Sequence, residues 1–164
     1  MSDAQAADHA APDRARCRRT PLLRVQQVQL VREGTAPVAL RQITSSQDVY
    51  VAFRDECEHA DREFVWAVLL NNQNRVIGVE EISRGSLTAA LLHPREVFKA
   101  ALLANAANVI LVHVHPGGSP TPSAEDLAIT KRLRDVGELM GIPLLDHLVI
   151  GHGRYTSLRD DGYL

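Results

Sequence analysis

Two histidines in this 164-residue chain stand at a spacing that can do chemistry. His113 and His115 flank Val114 at the end of the apolar run NVILVHV. In an extended strand, side chains two apart share a face, so both imidazoles can converge on one point. They stand where an apolar strand leaves the core, and two imidazoles there need a reason. A Gly/Pro-rich loop, HPGGSPTP, follows, and the next helical pattern carries Asp126 in its first turn. Two histidines and one carboxylate, with water in the fourth place, is a catalytic zinc arrangement. Each element also has a plainer reading. A histidine pair at a strand end is commonly a polar rim, and Ser123 with Asp126 fits the helix-start capping box S-x-x-[DE], which needs no metal. The combined spacing is far less expected by chance: HxH, seven residues, Ser, two residues, Asp.

That spacing is the signature of the JAMM/MPN metalloprotease superfamily. The surrounding residues resemble its RadC-like branch: HxHPxG, PTPSxxD, Thr130 after the Asp-containing turn, and LLDHLVIG. The resemblance runs from about Glu63 to Leu164, well over half the chain. It implies an α/β three-layer, cytidine-deaminase-like JAMM/MPN fold and a zinc-dependent metallopeptidase or isopeptidase. On the matching positions, His113, His115 and Asp126 are the implied Zn²⁺ ligands. Ser123 matches the serine that stabilises the oxyanion or orients the water. Glu63, opening EFVWAVLL, matches the upstream glutamate. Glu80 and Glu81 compete for that role, but they end a hairpin strand and do not match the family context.

The implied chemistry has clear physical needs. Zn²⁺ lowers the pKa of bound water from about 15.7 to about 7. Glu63 would take that proton and pass it to the leaving amine, from outside the ligand set, because a fourth protein ligand leaves no room for water. The metal and the Ser123 hydroxyl would stabilise the oxyanion, one such donor being worth about 3 kcal/mol. Val114 and Gly117 depart from the usual Asn and Ser of the RadC wording. Strand alternation points Val114 away from the metal, so the ligand set survives. Longer family members carry an N-terminal helix-hairpin-helix segment; the leader here is too short for one, so the chain resembles the short form, the catalytic-type domain alone.

The elements that must position these groups follow from periodicity. Residues 1–20 are polar, Ala-rich and aperiodic, which reads as a disordered tail, and residues 21–164 as one domain. Leu23, Val25, Val28 and Leu30 suggest an extended segment. Ser45 and Ser46 open a short helix to about Cys57. EFVWAVLL, the turn NNQN and RVIGVEEI form a hairpin, and SLTAALL a third strand. Pro94 starts a helix through Val97, Ala100, Ala101 and Ala104. NVILVHV reads as the central strand, and Ser123 opens a second amphipathic helix that Gly141 ends. IPLLDHLVIG and RYTSL close the chain as two more strands. The mix lacks strict βαβ alternation, so the class is α+β, a mixed β-sheet flanked by helices. Asp146 and His147 read as a buried, hydrogen-bonded pair at a strand start in preference to a neighbour of the cleft that orients a ligand histidine or contacts substrate, and Cys57 as a small apolar residue on a helix face. His9, His59, His93 and His152 read as surface or turn residues.

Composition bounds the alternatives. Aromatic residues are 4% of the chain, too few for a base-stacking platform. Net charge is −2, which removes any global electrostatic case for nucleic acid. A basic arm at Arg14, Arg16, Arg18, Arg19 and Arg24 leaves weak phosphate contact as an expectation, and with it the second function, a DNA-repair-associated accessory protein. From residue 25 onward, however, 13 basic side chains face 17 acidic ones. Cys17 and Cys57 have no metal or redox spacing and read as cytoplasmic thiols. No secretory or membrane-spanning segment is visible. A TIM-barrel amidohydrolase needs about 250 residues, and an all-strand cupin cannot hold the helix after Ser123. A metal-bound but inactive module is disfavoured because all five polar positions are retained. The expected partners are a peptide or protein substrate and, through an exposed strand edge, a second copy of the chain.

Overall fold

Strands that are apolar on both faces are stable only when both faces are covered, and the chain meets that need with helices on either side of one sheet. In the computed structural model, the described residues are 42–58, 60–85 and 92–164. They form α1 (Ser46–Glu58), β1 (Phe64–Leu70), β2 (Val76–Arg84), α2 (Pro94–Leu103), β3 (Asn108–Val114), α3 (Ala124–Met140), β4 (Leu144–Gly151) and β5 (Arg154–Ser157). The five strands lie in the order β2-β1-β3-β4-β5. β1 is antiparallel to both β2 and β3, whereas β3 and β4 are parallel. Parallel neighbours need a crossover, and α3 supplies it. The result is a mixed α+β sheet between helices, as the pattern predicts.

Two apolar clusters hold the layers. On one face, Val65, Ala67, Leu69, Val109 and Leu111 pack against Val97, Phe98 and Ala101 of α2 and Ile129 and Leu133 of α3. On the other, Val68, Leu70, Ile110, Val112, Val114, Leu148 and Ile150 pack against Val49, Phe53 and Cys57 of α1. Full burial of each Val, Leu or Phe is worth roughly 1.5–3 kcal/mol. Val114 therefore lies on the α1 face, and the residues alternating with it face α3.

Boundaries differ from the periodic reading in a few places. The apolar spacing around α2 continues to Ala107, but the helix stops at Leu103 with Ala104 as its cap. Asn105 adopts φ 51° and turns the chain; asparagine tolerates this left-handed conformation and ends helices. Gly141 ends α3 in the same conformation, φ 69°. The turn NNQN is closed by Asn71, whose side-chain oxygen accepts from Gln73 N and Arg75 N. The polar tail, the basic arm, the extended segment at 23–30 and most of the proposed third strand (86–91) lie outside the described residues. Leu92, the last residue of that run, belongs to no strand and packs into the α2 face of the core. No described helix is long and apolar enough to cross a membrane.

Candidate metal centre

β3 delivers His113 as its penultimate residue, aligned with Val65 of β1 and Val149 of β4. His115 follows just beyond the strand, and its backbone N–H still donates to Ile150 O at 2.9 Å, so the ladder fixes its position. The antiparallel pairing of β1 with β3 brings Glu63, the residue before β1, to the same end of the sheet. Ligand atoms of Glu63, His113 and His115 all fall within 4.8 Å of one another.

Asp126 arrives from α3. Ser123 is the N-cap of that helix, and the pair forms a complete capping box. Asp126 Oδ2 accepts from Ser123 N and from Ser123 Oγ, each at 2.7 Å, and Asp126 N donates back to Ser123 Oγ at 3.1 Å. Asp126 Oδ1 is left over and lies 3.0 Å from His113 Nδ1, while Oδ2 lies 3.6 Å from His115 Nε2. Glu63, expected outside the ligand set, therefore groups with both histidines at a separation that could hold a metal ion, while Asp126 approaches the same two histidines from α3. Only 1% of the Asp126 side chain and 2% of the His113 side chain are exposed, against 18% for His115, which forms the open edge.

The hydrogen bonding is left incomplete in a telling way. Among the described residues, the buried side-chain N and O atoms without a hydrogen-bond partner are His113 Nδ1 and Nε2, Asp126 Oδ1 and His147 Nε2. The close His113–Asp126 approach therefore lacks hydrogen-bond alignment. A buried polar atom without a partner costs about 1–3 kcal/mol, and here such atoms are concentrated at one point. His115 sharpens this. Its Nδ1 is 2.9 Å from Ser119 O. A carbonyl only accepts, so Nδ1 carries a proton, and in the neutral ring Nε2 is a bare lone pair. That lone pair faces the Asp126 carboxylate. Two acceptors so placed call for a cation between them, either a proton or a metal ion.

The electrostatics agree. Burial pushes the Asp126 carboxyl up, but His113, His115 and the Ser123 donors outweigh it and hold the group well below the usual carboxylate range. The Asp126 carboxylate raises His115 against the opposing effect of burial, with help from Ser119 O. An ionised oxygen donor beside two imidazoles is a donor set suited to Zn²⁺.

Residues 43–163 match the family model of the RadC-like JAB domain. The chain belongs to that family. It is 48% identical over 121 residues to a UPF0758 protein of Caldanaerobacter subterraneus subsp. tengcongensis, covering 74% of this chain and 52% of that one. A UPF0758 protein of Methanococcoides burtonii is 47% identical over 124 residues, covering 76% and 54%. One from Moorella thermoacetica is 48% identical over 122 residues, covering 74% and 53%. The RadC-like chain thus spans about half the length of these curated relatives.

Other residues singled out in the sequence take plainer places. Asp146 is buried and accepts from His147 N, Ser157 Oγ and Arg159 N, and burial raises its carboxyl pKa. It is the structural, hydrogen-bonded residue expected. Cys57 is buried on α1, and burial pushes its thiol up to about 12. Glu80 and Glu81 are exposed on β2, and Glu81 pairs with Arg84. His93 is exposed and caps α2 through Nδ1. His152 is exposed and packs its ring over Gly118. His9 and His59 lie outside the described residues. Two contacts were not anticipated: the Ser119 carbonyl on His115, and a 2.6 Å contact between Thr130 Oγ1 and His147 Nδ1. A backbone carbonyl leaves no trace in residue types, but Thr130 and His147 both belong to the motifs that carry the family resemblance.

Proposed function

We propose that this RadC-like JAB domain is a zinc-dependent hydrolase of amide bonds, a metallopeptidase or isopeptidase acting on a peptide or protein. The observation that carries the reading is the buried set of partnerless nitrogen and oxygen atoms at His113 and Asp126, beside a His115 lone pair that faces the same carboxylate. His113, His115 and Asp126 would hold the ion. When bound, Zn²⁺ supplies Lewis acidity and lowers the pKa of a coordinated water to about 7.

The remaining work falls to the chain's own side chains. Glu63 stands within 4.8 Å of the histidine ligand atoms, close enough to take a proton at one carboxylate oxygen and return it to the departing amine. Its backbone stands just before β1, where Gly85 N donates to Glu63 O at 2.9 Å. Ser123 locks Asp126 through both its N–H and its hydroxyl, and that hydroxyl would have to turn away from Asp126 Oδ2 to donate its single proton to the developing oxyanion. His115 at the open edge marks where a substrate carbonyl enters. The nucleic-acid accessory reading draws on residues 14–24, outside the described residues, and no described feature favours it.

Metal analysis of the purified chain tests the proposal. Close to one zinc per chain is expected, lost in His113→Ala and in Asp126→Ala. Glu63→Gln should retain the metal and abolish cleavage of a quenched fluorescent peptide library that the wild type cuts. A wild-type chain that takes up no zinc overturns the reading; cleavage persisting in Glu63→Gln moves the base to Glu80 or Glu81.

A further inference from the structure

We propose that Thr130 and His147 are positioning residues for the metal centre: His147 Nδ1–H donates to Thr130 Oγ1, which donates to the Asp126 main-chain carbonyl. The inference rests on the metal-centre reading above and extends it to two residues that touch neither metal nor substrate.

Proton counting gives the direction of the chain. A threonine hydroxyl has one proton and two lone pairs. Thr130 Oγ1 spends its proton on Asp126 O at 2.6 Å. At the second 2.6 Å contact, with His147 Nδ1, the hydroxyl must accept, so the ring nitrogen carries the proton. His147 is buried, and with the proton on Nδ1 a neutral ring leaves Nε2 as a bare lone pair. That nitrogen is buried without a hydrogen-bond partner among the described residues. The ring lies 18° from parallel with that of His113, centroids 6.0 Å apart.

The Thr130–His147 contact ties α3 to β4 through side chains. Asp126 and Thr130 lie on the buried face of α3, and His147 stands on β4 opposite Leu111 of β3. The relay therefore anchors the first turns of α3 to the sheet that carries His113. A Leu and Val pair would fill the same space and avoid the partnerless Nε2. Packing alone is thus a poor account of an imidazole here; holding the Asp126 turn at a fixed height above His113 is a better one.

The test uses the full chain in metal-free and zinc-loaded form, with zinc affinity measured against a chromophoric chelator. Thr130→Val and His147→Leu should weaken affinity about 10- to 100-fold, the usual effect of losing a group that orients a ligand. Thr130→Ser keeps the hydroxyl, and His147→Asn offers an amide N–H where Nδ1–H stood; both should stay near wild type. Replacing both partners of a buried hydrogen bond by apolar groups is close to neutral for folding. The double variant Thr130→Val/His147→Leu should therefore melt near wild type when metal-free, yet bind zinc weakly. Long-range ¹H–¹⁵N spectra of the metal-free protein should place the His147 proton on Nδ1. A proton on Nε2, or undiminished zinc affinity in Thr130→Val, overturns the relay while leaving the metal centre intact. A wild type that binds no zinc removes the metal centre, and the positioning role with it.

Discussion

Gly151 offers a direct test of how the His115 environment is held. A Cβ built on this residue would lie 2.2 Å from Gly118 O, 2.6 Å from Gly118 C and 2.8 Å from Pro120 N. All three are backbone atoms, so no side-chain rotation relieves the clash. Ordinary contact begins at 3.4 Å, so Gly151→Ala must push the loop after His115 outward by roughly 1 Å, the scale of backbone shift that overpacking forces. That loop carries Ser119, whose carbonyl is 2.9 Å from His115 Nδ1, and a hydrogen bond of this kind weakens steeply when stretched so far. Overpacking costs about 1–3 kcal/mol, offset by about 0.4–1 kcal/mol from the stiffer unfolded chain. A net loss of about 1–2 kcal/mol lowers Tm by about 2–8 °C for a domain of this size. Zinc affinity should fall about tenfold, as for a lost orienting contact to a ligand histidine. Gly117→Ala is the internal control, because nothing lies within 4 Å of its Cβ; it should leave both quantities near wild type. Thermal unfolding by circular dichroism and chelator competition read the two effects. If Gly151→Ala matches Gly117→Ala in both assays, the loop does not hold His115 as argued.

Two further expectations concern α1. Asp48 Oδ2 accepts from Thr44 N, Thr44 Oγ1 and Ser45 N, and the Thr44 hydroxyl leads the groups that lower its pKa. Because the folded pKa lies below the unfolded value, its stabilisation is present above pH 3.8 and lost as pH falls through the folded pKa. Asp48→Ala should cost about 1 kcal/mol in urea unfolding near neutral pH, with the gap to wild type closing in acid; a gap independent of pH would contradict the assignment. Cys57, with its thiol raised to about 12 by burial, should react with an aromatic disulfide reagent at pH 8 at least about 100-fold more slowly in native protein than in denaturant. A Cys17→Ser background isolates that signal, and comparable native and denatured rates would show that α1 opens readily.

What was legible in the sequence depended on how local the physics is. The HxH pair, the capping box and the strand carrying Glu63 are set by spacings of a few residues, and each lies within a residue or two of its expected place. The α2 helix read through Ala104 ends there, at its cap, because Asn105 interrupts by backbone conformation an apolar pattern that Ala106 and Ala107 continue. The Ser119–His115 and Thr130–His147 contacts depend on where a loop and a crossover helix come to rest. The second joins residues 17 apart in the chain, a separation that no periodicity encodes. Asp146 was legible as structural because a carboxylate inside an apolar strand must find donors, and it finds three.

The capping box and the metal site, set against each other when only residue types are considered, turn out to use different atoms of one side chain. Oδ2 of Asp126 takes both donors from Ser123, and Oδ1 is left without a hydrogen bond. A carboxylate at the N-terminus of a 17-residue helix is favoured by the helix dipole. The cap thus keeps the group ionised and prevents its rotation, so the free oxygen stays aimed at His113. Neither function competes with the other. A third histidine in place of Asp126 would bring no compensating negative charge. The same helix start therefore explains why the third donor is a carboxylate and why Ser123 stands three residues before it.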